Sequence, residues 1–481
     1  MNHAKKPLPH RAHFVGICGV ATSALAIALA KAGVIVTGSD KGFFPPVSTS
    51  LTEAGVPYYA GWHPEKMFEQ GAPDIVVVGT ASGSQNPETD NARALGLPIY
   101  SFAEAVGQYL VRQNSIVVAG TWGKTSSAAL LSHILIEADY DPSYMFGGIS
   151  LSHDASARHT TSKWSVFEGD EYKSSPTDPT AKFFYYHPSH LLLTAVSWDH
   201  ADLYPTEAAY FETFQRLLGN VPAKSFVVAN KDQPGVTRAL EGTSARVIRY
   251  GRAPGTEAEY TYDNIRQSRF GLTFNLNHDG KSHEIKTRLL GSFQAENITG
   301  CFAMASELGV PTDQIIAAIG SFKGLKRRLE KRLDGDATAA GVTVFDDIAH
   351  SPEKASAVLH ELHQVYGEHL IAVFEPNIGG RERAAAEKYQ GAFHEAETVV
   401  IPRLTKLKVA NEETSEPPMS GEELAAIIAS SHPQTKYIDD DEAVVSFLTT
   451  ASQKGAVIAF LGSHGFRGMI EETVKRLESK S

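Results

Sequence analysis

Glycine, lysine and threonine meet in one short run, Gly120-Thr121-Trp122-Gly123-Lys124-Thr125, between the apolar stretch Ser115–Ala119 and an alanine- and leucine-rich segment. Consecutive backbone N–H groups at a helix start, backed by the helix dipole, bind phosphate oxygens. A lysine there bridges those oxygens, and the next hydroxyl reaches a magnesium ion. The run is a shortened nucleoside-triphosphate loop, because Val118 stands where the full pattern has its first glycine. Two acidic runs follow. "VFEGDEYK" places Glu168, Asp170 and Glu171 at the end of an apolar strand, and "AVSWDHADLYP" does the same for Asp199, His200 and Asp202. Magnesium takes a few protein oxygens and completes its octahedron with water and phosphate. On chemistry alone His200 would be an unusual ligand, and such groups also serve as caps or solvated charges.

A different glycine loop opens the chain. "GICGVATS" follows a strand and starts a helix, but reads Gly16-x-Cys18-x-x-Ala21 where a dinucleotide fold has G-x-G-x-x-G. Ser39 and Asp40 close the second strand, Asp40 where such a fold places its ribose carboxylate. N–H groups over Gly16–Val20, Gly19 included, can hold a diphosphate without specifying a nicotinamide.

These loops need strands behind them and helices after them, and the chain supplies the alternation throughout. Short apolar runs ("HFVGICGV", "VIVTGSD", "DIVVVGTA") alternate with helical stretches over 1–112, again over 113–325, and again over 326–481, from "VTVFDDIAH" to "AVIAFLGSHG". The expected fold class is α/β with parallel sheets, in three domains meeting near 112 and at a hinge bracketed by Gly320 and Gly324. The uncharged run Phe14–Ala30, after Lys5, Lys6 and Arg11, imitates a secretion signal. Its early glycines and the strand that follows make strand–loop–helix–strand the better reading. The stretch 405–424 lacks a period and reads as an exposed loop. A net charge of −11 argues against nucleic acid or anionic membrane as partners, and no run approaches the ~20 apolar residues of a membrane span. Two cysteines, Cys18 and Cys301, make neither a disulfide framework nor a zinc site, which points to the cytoplasm.

Taken together, "GTWGKT", "EGDEY", "WDHADLY", "NKD" at 230–232, "GSFQAEN", "RRLE" at 327–330 and "DDIAHSP" at 346–352 resemble the Mur ligase family, the ATP-dependent amide-forming enzymes of peptidoglycan synthesis. The resemblance covers nearly the whole chain. It implies a Rossmann-like UDP-sugar domain over 1–112, a central P-loop ATPase domain over 113–325 and a Rossmann-like amine-substrate domain over 326–481. Within the family, "HFVGICG", "VTGSDKGFFPPVST", "KFFYYHP" and "DHAD" resemble the muropeptide-recycling branch more than the alanine-adding one. The implied reaction joins the lactyl carboxylate of UDP-N-acetylmuramate, through an acyl phosphate, to the amine of L-Ala-γ-D-Glu-meso-diaminopimelate. L-Alanine as the amine is the alternative, and a non-catalytic UDP-sugar or ATP sensor is a further one.

The resemblance also assigns roles. Gly120, Thr121, Gly123, Lys124, Thr125 and Ser126 would hold ATP, with Asn297 at the adenine and Asp347 at the ribose or in a closed-state network. Thr125, Glu168 and His200 would hold Mg²⁺. Arg328 would reach the phosphates after closure, and His350 would stand near the incoming amine. Gly16, Cys18, Gly19, Ser39 and Asp40 would bind the UDP-sugar. Small-molecule substrates alone are implied as partners, on a monomer or homodimer. The sequence departs from the family pattern at Trp122, Ser126, Ser127, Lys173, Phe293 and Ile348. Most consequential is Asn377 in "FEPNIGG", where the recycling branch has an arginine suited to a carboxylate, with Arg381 and Arg383 as nearby substitutes.

Overall fold

The computed structural model describes residues 7–43, 47–79, 85–175, 178–255, 257–405 and 417–480. Lys5, Lys6 and positions 406–416 of the expected loop lie outside them. The chain divides into two compact units. One comprises Met1–Asn264, Phe274–Thr287 and Ala295–Lys323; the other comprises Ile265–Thr273, Arg288–Gln294 and Gly324–Ser481.

The first unit holds two α/β sheets. Five parallel strands run in the order Tyr58–Ala60, Ile35–Asp40, Arg11–Val15, Ile75–Val78, Ile99–Ser101. The order reverses direction at Arg11–Val15, so the first glycine loop leaves the sheet at its switch point, where such sheets bind ligands. Phe14–Ala30 resolves into the end of that strand, the loop and the helix Val20–Lys31. Phe14, Leu25 and Leu29 are fully buried between sheet and helix.

The second sheet is larger. Its central strands Arg246–Arg252, Phe226–Asn230, His190–Leu193, Asn114–Ala119, Trp164–Gly169 and Ser143–Met145 are parallel. Ile116, Val117 and Val118 are buried on both faces, as expected of a parallel strand covered on each side. The triphosphate-type loop leaves this central strand and enters the helix Lys124–Glu137.

The two sheets share a core. Between the acidic strand end and the strand His190–Leu193, the turn Lys182–Tyr186 buries Phe183 and Tyr186 in the cluster that also holds Phe102, Val106 and Tyr109. A Cβ at Gly107, in the helix Phe102–Tyr109, would collide with the Tyr185 carbonyl, so glycine permits this approach. Full burial of Phe183 alone contributes roughly 2–3 kcal/mol.

The second unit is built on six strands in the order Glu330–Leu333, Thr343–Asp347, Val457–Gly462, Leu370–Glu375, Thr398–Pro402, Thr435–Ile438. All pairs are parallel except the antiparallel edge strand Glu330–Leu333. Asp347, Glu375 and Gly462 end three neighbouring strands on one side. The expected loop over 405–424 needs correction at its end, because Gly421–Ala429 is a helix. Ser420 and Glu423 form a reciprocal capping box there, and Leu424 and Ile428 are buried. The acidic, proline-flanked start masked that helical period in the sequence.

Candidate active site

The loop Gly120–Thr125 is shaped by backbone that only glycine takes without strain. Gly123 has φ of +80°, and a Cβ there would stand 2.7 Å from the Asn297 Oδ1. Asn297, buried on the helix Gln294–Glu307, therefore packs against the phosphate loop. Trp122 is 48% exposed. The Thr121 hydroxyl donates to the Ser197 carbonyl and accepts from the Ser197 N–H, which joins the loop to the strand exit carrying Asp199 and His200.

Around this loop the two acidic runs converge. The Thr125 hydroxyl donates to Glu168 Oε1 at 2.8 Å, while Glu168 Oε2 accepts from the Gly147 N–H. The Lys124 ammonium donates to the Gly120 and Thr121 carbonyls and lies 3.0 Å from Glu171 Oε2. The Nε2 of His200 is 3.6 Å from the other oxygen of the same carboxylate. Glu171 is 1% exposed and also accepts from the Tyr210 hydroxyl. The His200–Glu171 contact, followed by the neighbouring Asp199 and Asp170 charges, raises the His200 pKa above its ordinary range against a burial effect of opposite sign. His200 sits at φ +55°, a left-handed conformation costly for a non-glycine residue, as is found at functional turns. Sequence reasoning placed Glu171 beside the others without singling it out. Its sign was there: a second glutamate three residues after Glu168.

Do these residues suit magnesium? Thr125 and Glu168 offer hard oxygens side by side at a helix start, which fits. His200 faces Glu171 rather than Glu168. Among the described residues no group of three His, Cys, Asp or Glu is arranged to hold a metal by itself. An ion taking most of its ligands from phosphate and water needs no such group.

The first glycine loop lines a cavity of about 240 Å³ with Gly16, Gly19, Thr22, Asp40, Lys41 and Lys182 among its walls. Of the expected UDP-sugar residues, Gly16, Gly19 and Asp40 face this cavity and two do not. Ser39 is fully buried and its hydroxyl donates to Glu88, a buried carboxylate that also accepts from Tyr59 Oη and the His63 N–H, each at 2.7 Å. Cys18 contributes its backbone N–H to Asp40 Oδ2 at 2.9 Å, and burial pushes its thiol up to about 11. Lys182, remote in sequence, was not foreseen.

In the second unit, Arg328 is exposed between Arg327 (φ +59°) and Leu329 (φ +46°). Arg327 locks the turn by donating to the carbonyls of Gly462, Ser463 and His464 and pairing with Asp346. Asp347 accepts from the Leu329 and Ala349 N–H groups at 2.7 and 2.8 Å. Its carboxylate thus fixes the backbone on either side of the site, and burial holds its pKa above the usual carboxylate range. His350 is half-buried, with Nδ1 2.6 Å from the Ile348 carbonyl and its own carbonyl accepting from the Asn377 N–H. Arg381 is no substitute for a free arginine at 377. It is 5% exposed and spends its guanidinium on the Pro376 and Thr405 carbonyls and on Glu375. Arg383 pairs with Glu423 at 3.1 Å.

Two glycine loops, each leaving the carboxyl end of a central parallel strand, one of them backed by a Thr–Glu pair and a Lys–Glu–His chain, define a nucleotide-handling α/β enzyme. Comparison with known proteins makes the class specific. Residues 11–113 match the Mur ligase family catalytic domain, 118–305 the Mur ligase middle domain and 327–464 the Mur ligase glutamate ligase domain. The UDP-N-acetylmuramate–L-alanine ligase of Arthrobacter sp. (strain FB24) is 32% identical over 403 residues, 81% of this chain and 80% of that protein. The structure of UDP-N-acetylmuramate-alanine ligase from Thermotoga maritima superposes with a TM-score of 0.79 at 21% identity, covering 98% of this chain and all of that one. That of UDP-N-acetylmuramate:L-alanyl-gamma-D-glutamyl-meso-diaminopimelate ligase from Neisseria meningitides is 28% identical with a TM-score of 0.60, covering 66% of this chain and 99% of that one. The chain belongs to the Mur ligase family and is an ATP-dependent ligase that forms a C–N bond. The expected place in the recycling branch is corrected to this extent: the curated relatives at 30–33% identity bear the L-alanine name. The recycling-branch motifs lie within residues 13–202, so they weigh the donor half of the chain and not its amine half.

Proposed function

We propose that the chain phosphorylates the lactyl carboxylate of UDP-N-acetylmuramate with ATP and joins the resulting acyl phosphate to L-alanine. The observation that carries the activating half is the Lys124–Glu171–His200 chain beside the Thr125–Glu168 pair, all at the carboxyl end of one parallel sheet. A carboxylate must meet a γ-phosphate, and both are anions, so fixed cations and a metal lower that barrier. Magnesium, when bound by Thr125 and Glu168 with His200 nearby, supplies charge neutralisation between them. Lys124 grips the phosphates, and Glu171 holds Lys124 and His200 at their stations. Gly120, Thr121, Gly123 and Ser126 present the loop's N–H groups, and Asn297 backs the loop. Arg328, on the turn that Asp347 holds, would supply a further cation to the phosphates, and His350 would serve the amine side.

For the amine, L-alanine is supported by the names of the relatives. Arg381 is committed inside the fold and is unavailable to a carboxylate of either amine. The tripeptide is the second reading, favoured by the Neisseria structure and by the recycling-type motifs. The reading implies the cytoplasm, where ATP and sugar nucleotides occur; no described helix is long and apolar enough to cross a membrane.

Phosphate release from ATP, with Mg²⁺, UDP-N-acetylmuramate and either L-alanine or the tripeptide, tests this, with mass spectrometry of the product. Release and an adduct only with L-alanine is the expected result. The same result with the tripeptide alone would move the chain to the recycling branch. Binding of both nucleotides with no turnover for any amine would make it a sensor.

A further inference from the structure

We propose that Lys182, from the middle of the chain, is the cation that meets the diphosphate of the nucleotide sugar in the cavity of the first glycine loop. This rests on the sugar-nucleotide reading of that cavity.

A diphosphate carries two to three negative charges, and a helix start alone neutralises about half of one. The cavity wall offers Asp40, which adds a negative charge, and two lysines. Lys41 is exposed, and its N–H is bound to its neighbour Asp40. Lys182 is different. Its side chain is 16% exposed and its ammonium donates to Asp170 Oδ2 at 2.5 Å. An ammonium has three donors, so Asp170 leaves two to offer phosphate oxygens. Its turn is held by backbone bonds: the Lys182 N–H donates to the Tyr172 carbonyl, the Phe183 N–H donates to the Asp170 carbonyl, and the Phe183 ring is sunk in the shared core. Asp170 stands between Glu168 and Glu171 in the chain. One segment therefore carries the carboxylates of the phosphoryl-transfer centre and, through Asp170, holds the diphosphate cation. Fixing the diphosphate at Lys182 sets how far the sugar's carboxylate reaches toward Glu168.

The test is calorimetric binding of UDP, UMP and ATP, each alone, to the full-length wild type, Lys182→Met and Lys182→Arg. Lys182→Met should weaken UDP by about 10- to 100-fold, the loss of one charge-assisted contact. It should reduce the preference for UDP over UMP and leave ATP within about twofold; Lys182→Arg should recover part of the loss. UDP binding by Lys182→Met at wild-type strength would overturn the proposal while leaving the sugar-nucleotide reading intact. Equal losses for UDP and UMP would also overturn it, because Lys182 would then be supporting the pocket's shape. A wild type that binds ATP but not UDP would bring down both the proposal and the reading beneath it.

Discussion

Glu171 shows what one buried carboxylate can do when two cations share it. It orients Lys124 toward the phosphate loop and keeps His200 turned inward, and its own burial is tolerable only because both partners are present. Glu171→Gln keeps the shape and removes the charge. It should cut kcat about 100-fold or more while ATP affinity changes by only a few-fold, measured as phosphate release against equilibrium nucleotide binding. Arg381 makes the opposite case, a residue that sequence reasoning offered to substrate and the fold keeps for itself. Arg381→Met leaves Glu375 buried with Arg467 as its remaining cation. The expected loss is about 2–4 kcal/mol of stability in thermal or denaturant unfolding, with the KM for the amine little moved. A large KM change with unaltered stability would return Arg381 to the substrate. Neither role could be read from residue type, because a charge declares its partner only once the chain has folded.

At the scale of elements, the legible features were those whose chemistry is local. Gly120–Thr125 could be read because strand, loop and helix follow one another within some twenty residues, and the phosphate-binding N–H groups belong to consecutive residues. Gly123→Ala should test that loop sharply. The added Cβ meets the Asn297 amide in a backbone conformation that alanine disfavours. ATP affinity should fall more than about 10-fold, with the far-UV circular dichroism unchanged. What could not be read was assembled from distant pieces. Ser39 was expected at the ligand but is claimed by Glu88, and Lys182 reaches the first cavity from a turn about 140 residues beyond Asp40. The helix Gly421–Ala429 was missed for another reason: its capping box was present in the sequence, but its apolar face is short and follows an acidic, proline-containing run.

For the molecule as a whole, histidines withdrawn from water should lower stability in acid. Burial, with His153 beside it, pushes His133 down to about 4, and burial alone does the same to His190. Both folded values lie below the ordinary 6.5, so the unfolded chain takes up protons that the folded chain refuses. Stability is therefore level with respect to these groups above about pH 6.5 and is lost as pH falls from there toward 4. For His133 the loss at pH 5 is on the order of 2 kcal/mol. Melting temperatures measured between pH 7 and 4.5 should fall, and His133→Gln, which cannot charge, should flatten part of that slope. An unchanged slope would place the acid sensitivity elsewhere.

The burial of Phe183 and Tyr186 alongside Phe102 and Tyr109 also constrains how the chain can be recombined. A cut near residue 112 would leave an apolar scar on both fragments and separate the first cavity from its Lys182 wall. The donor-recognition module is thus not an exchangeable cassette. Chimaeras within the family should tolerate a junction at Lys323–Gly324 when Ile265–Thr273 and Arg288–Gln294, which belong to the second unit, are exchanged with it. There a new acceptor specificity could be grafted onto a donor half inherited intact.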